Sequence, residues 1–264
     1  MRLILVGLLL SILAVAQSHA EMSFPPQNSF TAVNKVSSGQ LVASTTNFTL
    51  DVGDKIFVHV AKDNVSPGDG ETNEVVSVED SFGNTYVKIK EFSNGQGKKL
   101  AGVVAALFLA TNIASYPPPE PKPFATIPPE SFIVTVRFST SNVAAKTMAV
   151  QRVISRYDLE VVDFAFLAND NANPSKMDLE NVPPDVEHLW VRTMGLEGAW
   201  VNFFETPSYD DWGTIGTTGS GRASNIAVAY EADIFTGTSN PSDPIAINAD
   251  SVSILVAFRE IIEP

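Results

Sequence analysis

The stretch from Val75 to Ile154 places the tightest constraint on what this chain can fold into. It contains four runs rich in β-branched, aromatic and other apolar residues, VVSVEDSFGNTYVKIKEF, GVVAALFLATNIA, SFIVTVRFS and AAKTMAVQRVI. Short apolar or alternating runs bounded by turn-forming residues are typical of β-strands. The segment Ser81–Asn84 is expected to close a hairpin between the two halves of the first run. The stretch therefore predicts an antiparallel β-fold.

Similar runs occur on both sides of this stretch, and together they predict about a dozen strands at the spacing of a sandwich. Lys55–Ala61 alternates most regularly, and Phe57 and His59 are expected on its less buried face. A single turn at Asp178–Asn181 is the one helix signal. We predict an all-β fold, an antiparallel β-sandwich that is jelly-roll-like.

The first residues of the chain predict export. Residues 1–20 combine a positive charge at Arg2, an apolar run of 14 residues and a small-residue cleavage site ending at Ala20, as a secretory signal peptide does. Residues 21–264 are predicted to form one β-sandwich domain, with an exposed loop insertion at 115–130 that contains seven prolines. No later run is long and apolar enough to span a membrane. The mature protein is therefore expected to be secreted or held at the cell surface.

Charge and cysteine content exclude several classes of function. The chain has 17 Lys and Arg against 30 Asp and Glu, a formal net charge of −13. Nucleic acids and anionic membranes are bound through basic patches, so neither is an expected partner. Because the chain has no cysteine, it can have neither disulfides nor thiolate metal sites.

Six short motifs follow one another in a recognisable order along the chain. They are DSFGNTY at 80–86, LFLATNIA at 107–114, IVTVRFS at 133–139, TMAV at 147–150, AVAY at 227–230 and SILVAF at 253–258. This order resembles a loosely defined group of exported and phage-structural jelly-roll-like β-sandwich domains with a D-S-x-G-N-T-Y hairpin. The resemblance implies a structural or adhesive role and brings no catalytic residues with it.

The leading functional prediction is a secreted, non-enzymatic structural or cell-surface protein. It would assemble with copies of itself, or with other surface proteins, through strand edges, with strand donation from Glu21–Val36 as one route. A glycoside hydrolase is a further alternative, since Glu79-Asp80 and Asp210-Asp211 are paired carboxylates. However, neighbouring residues of a strand point to opposite faces, so neither pair is by itself a catalytic pair.

A carbohydrate-binding or adhesive module is the main alternative. Aromatic rings stack on sugars and carboxylates accept hydrogen bonds from sugar hydroxyls. Both types of side chain occur together in one loop, at Tyr209, Asp210, Asp211 and Trp212. These four residues are the candidate ligand-binding site, with glycans as the partner.

An acidic loop is the candidate metal site, and no other cofactor is expected. Ca²⁺ takes 6–8 oxygen ligands, and one glycine-containing loop offers Asp63, Asn64, Asp69, Glu71 and Glu74. The spacing does not match an EF-hand, and a solvated acidic loop is the alternative.

Two N-glycosylation patterns also occur. They begin at Asn47 and at Asn64, and they matter only in a host that glycosylates exported proteins.

Overall fold

The computed structural model describes residues 22–25, 29–46, 48, 50–51, 53–111, 113, 131–172, 177–198, 213–215, 226–237 and 249–262, and every regular element among them is a β-strand. The strands, β1 to β14 in chain order, are Ser29–Asn34, Gln40–Thr45, Lys55–Asp63, Gly70–Glu71, Val75–Asp80, Val87–Asn94, Val103–Ala110, Phe132–Phe138, Lys146–Val153, Asp158–Ala172, Glu187–Glu197, Gly213–Ile215, Ile226–Thr236 and Ala249–Ile261. Within these ranges no helix could cross a membrane. The helical turn predicted at 178–181 is wrong, because this segment is irregular.

The strands form three sheets, and all their pairings are antiparallel. The first has six strands in the order β1-β9-β3-β7-β6-β4, the second has five in the order β10-β14-β11-β13-β12, and the third has three in the order β2-β8-β5. All three are open sheets with edge strands. The predicted all-β antiparallel sandwich is confirmed.

The six-stranded sheet is the middle of three layers. One of its faces packs Phe57 and Leu107 against Val191 and Val256 of the five-stranded sheet. Its other face packs residues such as Val58 against Val134 and the rest of the three-stranded sheet. Because both faces are covered, every residue of β3 and β7 is buried. The expectation that Phe57 and His59 lie on a less buried face is wrong for this reason.

The outer sheets keep the alternation expected of a sheet with one solvated face. In β8, Phe132, Val134 and Val136 point into the core, whereas Ile133 and Arg137 are exposed. The outer face of the five-stranded sheet is partly covered by the irregular segment 177–182, whose apolar side chains pack around Trp190.

The turn at Ser81–Asn84 connects two layers. β5, before the turn, pairs with β8 of the three-stranded sheet, whereas β6, after it, pairs with β7 of the middle sheet. The two strands that flank the turn do not pair with each other. The hairpin expected here is therefore an arch between sheets.

Several sequence predictions lie outside the described residues. These are the signal peptide at 1–20, the proline-rich insertion at 115–130 and the candidate ligand-binding residues Tyr209, Asp210, Asp211 and Trp212.

Candidate functional site

The acidic loop connects the middle sheet to the three-stranded sheet. It leaves β3 after Asp63 and enters β5 at Val75, and its short strand β4 pairs with β6. Lys62, the last residue but one of β3, continues the alternation of Val58 and Val60 and is fully buried. The base of the loop thus has a buried ammonium between two layers.

Glu74 is the partner of this ammonium. Lys62 Nζ donates to Glu74 Oε2 at 2.5 Å and to the carbonyl oxygen of Asp63 at 2.7 Å. The backbone N–H groups of Val65 and Ser66 donate to the same carboxylate at 2.8 and 2.7 Å. Burial lowers the pKa of Lys62, and the negative charge of Glu74 opposes that effect. The Glu74 carboxylate therefore ties together the end of β3, the start of the loop and the start of β5.

A second ion pair, between the partly exposed Lys88 and the buried Glu91, lies beside the first. Lys88 Nζ donates to Glu91 Oε2 at 2.7 Å. The Glu91 carboxylate also accepts from the backbone N–H of Glu74, and from that of Val75 at 3.2 Å. Burial raises the pKa of Glu91, and Lys88 and the two backbone donors act in the opposite direction. We call these four side chains, Lys62, Glu74, Lys88 and Glu91, the ion network.

Asp63 and Lys146 continue the polar interior. Asp63 Oδ2 accepts from the backbone N–H of Ala145 at 2.9 Å, and burial raises the pKa of Asp63. Lys146 Nζ donates to the carbonyl oxygens of Val36 and Val143, both at 2.7 Å. Burial lowers the pKa of Lys146, and the charge of Asp63 opposes this. Both side chains thus help to fix strand ends.

Asn64 organises the neighbouring backbone. Its Nδ2 donates to the carbonyl oxygens of Ser66, Gly95 and Lys98, and its Oδ1 accepts from the N–H groups of Ala101 and Gly102 at 3.0 Å. The side chain has no exposed surface. The amide nitrogen that a glycan would modify is therefore inaccessible in the folded protein. Asn47, the other pattern, lies outside the described residues.

The structure does not bring the five candidate calcium ligands together. Asp69 accepts from the N–H of Gly95 at 2.7 Å, and Glu71 forms an exposed ion pair with Lys90 at 3.1 Å. Asp63, Asn64 and Glu74 are held by the separate contacts described above. Across the described ranges, no three acidic or histidine side chains are grouped so as to hold a metal ion. Lysine and backbone donors already compensate the carboxylates that were expected to attract a cation.

The motif at 80–86 has a structural explanation. Asp80 Oδ1 accepts from the N–H groups of Phe82 and Asn84 at 2.9 and 3.1 Å. Asp80 Oδ2 accepts from Asn84 Nδ2 and from Tyr86 Oη, both at 2.8 Å. Gly83 has a φ of +75°, which suits a residue without Cβ. The carboxylate therefore holds the arch closed by accepting four hydrogen bonds from within the motif.

His59 lies between the middle sheet and the five-stranded sheet. Its Nδ1 is 2.7 Å from Thr193 Oγ1, its Nε2 is 3.4 Å from Gln151 Oε1, and its ring stacks on Tyr230 at 4.7 Å between centroids. Burial lowers the pKa of His59 to about 3. An imidazole of this kind is neutral at ordinary pH and is part of the core. His188 has no exposed surface either, and burial lowers its pKa.

Sequence reasoning did not identify Lys62, Lys88 and Glu91. The sequence does contain a signal for Lys62. In β3, Val58, Val60 and Lys62 occupy alternate positions and therefore share one face of the strand, and the two valines on that face are buried. A charge at such a position requires a buried partner. The partners come from β6 and from the end of the loop, and spacing along the chain does not reveal them.

Comparison of the chain with known protein families, with curated proteins and with solved structures finds no match.

Proposed function

We propose that this protein is an exported, non-enzymatic structural component of the cell surface or extracellular space, and that it assembles with copies of itself by exchange of its N-terminal strand. The proposal keeps the structural role implied by the resemblance to exported β-sandwich domains. The observation that carries it is the position of β1, the first described strand, at one edge of the middle sheet.

The N-terminal segment lies beside β9 and pairs with the chain there at two places, at Ser23 and along β1. Ser23 exchanges two backbone hydrogen bonds with Ile154, at 3.0 and 2.9 Å. β1 then continues antiparallel along β9, from the pair Ser29 and Gln151 to the pair Asn34 and Lys146. In the described part of the chain, β9 is the one strand to which β1 is paired.

The side chains of β1 suit a strand that binds from outside. Phe30 and Ala32 pack against the core between the middle and three-stranded sheets, whereas Thr31 and Val33 are exposed. The ring of Phe30 meets the ring of Phe48 at 5.0 Å between centroids. In β-strand addition, main-chain bonds supply affinity and alternate side chains fill pockets. The same contacts would form with the β9 edge of another copy.

The absence of cysteine allows a direct test. Thr31 and Ala149 are paired across β1 and β9, and directly opposed residues of an antiparallel pair are close enough for a disulfide. In the variant Thr31→Cys with Ala149→Cys, strand exchange produces disulfide-linked oligomers on non-reducing gels. The matched control is Val42→Cys with Thr135→Cys, which are paired within the three-stranded sheet and should link within one chain.

A single intrachain product for both variants, together with a monodisperse monomer in gel filtration, would overturn the proposal. In that case a glycan-array signal lost on Trp212→Ala would support the carbohydrate-binding alternative. Negative-stain microscopy gives a further test. Wild-type filaments would support the exchange if they are absent once the disulfide between positions 31 and 149 has closed within the monomer, because that bond holds β1 on its own β9.

A further inference from the structure

We propose that Lys62 and Glu74 condense to an intramolecular amide bond that joins β3 of the middle sheet covalently to the segment that opens β5 of the three-stranded sheet. This inference does not depend on self-assembly.

The two reacting groups are already held in contact. Lys62 Nζ lies 2.5 Å from Glu74 Oε2, and the side chains are 0% and 5% exposed. Groups held at such a separation and orientation react with an effective molarity far above that of free solutes. Glu91 holds the backbone N–H of Glu74 and is itself paired with Lys88. Glu74 is thereby fixed beside Lys62.

The surroundings favour an uncharged amine at Lys62 and support attack at the carboxyl carbon of Glu74. Burial lowers the pKa of Lys62, which increases the fraction of uncharged, nucleophilic amine. The N–H groups of Val65 and Ser66 each point at one oxygen of the Glu74 carboxyl group. Donors in this position stabilise the negative charge that develops on oxygen during attack at the carboxyl carbon.

The reaction balances without any co-reactant. One ammonium proton passes from Lys62 to a Glu74 oxygen, which gives an amine and a carboxylic acid. The amine nitrogen then bonds to Cδ of Glu74, and the C–O bond to the protonated oxygen breaks. That oxygen leaves as water with a second proton from the nitrogen, and one N–H remains in the amide.

Intact-mass spectrometry of the purified mature protein tests the proposal. The wild type should weigh one water less than its sequence requires. Lys62→Arg keeps the positive charge but should restore the full mass. Lys90→Arg, a control at a lysine outside the ion network whose partner is the exposed Glu71, should keep the mass deficit.

Peptide mapping of the wild type locates the bond independently of whether any variant folds. Trypsin should fail to cleave after Lys62, so that one peptide contains both residues 62 and 74. In tandem mass spectrometry this peptide should give no fragment ions from backbone cleavage between the two residues, because the amide bond closes a ring there. Asp69-Gly70 could also lose water by forming a cyclic imide, but that product leaves Lys62 cleavable. A wild type with the full sequence mass, or a deficit that persists in Lys62→Arg, would overturn the proposal.

Discussion

Acidification should destabilise this protein through His59 in particular. The unfolded chain binds a proton at this residue below pH 6.5, whereas burial between two sheets lowers the pKa in the folded state to about 3. The folded-state pKa is depressed, so the stabilisation is fully present above pH 6.5 and is lost as the pH falls towards 3. At ~1.36 kcal/mol for each unit of pKa difference, the whole interval corresponds to about 5 kcal/mol.

The matched variant is His59→Asn, whose amide can still reach Thr193 but cannot gain a charge. Urea denaturation of both proteins, at one-unit intervals from about pH 7 to about pH 4, gives the difference between their free energies of unfolding. Removing the ring adds a constant penalty to the variant, and the other titrating groups cancel in the difference. The advantage of the wild type should therefore shrink by about 1.4 kcal/mol per pH unit below pH 6.

A difference that stays constant with pH would refute the reasoning. It would mean that His59 does not stay neutral in the folded protein, and hence that water or a carboxylate reaches the space between the sheets. A proton NMR titration of the ring measures the folded-state pKa of His59 directly, and the ring resonances should not shift above pH 4.

Three further outcomes are expected. Asp80→Asn should lower the free energy of unfolding by roughly 2–4 kcal/mol, because the charged acceptor of four hydrogen bonds is lost, whereas Glu79→Gln at the exposed neighbour should change it far less; equal losses in urea denaturation would contradict this. Gly102→Ala should prevent normal folding, because its Cβ would lie 1.8 Å from the carbonyl oxygen of Asn94. A variant with an unchanged melting temperature would show that the backbones at positions 102 and 94 lie farther apart than this. Melting curves in EDTA and in millimolar Ca²⁺ should coincide, because the carboxylates of residues 63–74 already have donors; an upward shift with Ca²⁺ that EDTA reverses would support the calcium prediction.

Local pattern was sufficient to predict the longer strands but not their partners, and it missed the short strands β4 and β12. The alternation in Lys55–Ala61 correctly separates Val58 from Phe57. It cannot show that a second sheet covers each face, since that depends on strands more than 70 residues away, such as β8 and β11. In the same way, Ser81–Asn84 contains the chemistry of a chain reversal. Whether the reversal joins paired strands or separate sheets is decided by the competition of β8 and β7 for β5 and β6.

The candidate metal site shows the same limit for side chains. The density of acids at residues 63–74 is visible in the sequence, and it suggested a cation. In the structure, the positive charges beside these acids come from Lys62 and Lys90. Lys62 is on β3, before the loop, and Lys90 is on β6, the strand with which β4 of the loop pairs. Sequence spacing shows which charges are near one another along the chain, whereas their energies depend on which charges are near in space.

The position of β1 has a consequence for the order of events during synthesis. Ser29 pairs with Gln151, and at 5–20 residues per second the roughly 120 residues between them take on the order of 10 seconds to make. Among the described strands, β1 is the first to leave the ribosome and the one that waits longest for its partner. Under the proposed strand exchange, a finished neighbour whose own β1 has opened would offer the same empty β9 edge during that interval. The concentration of nascent and finished chains would then decide whether a chain closes on itself or joins another.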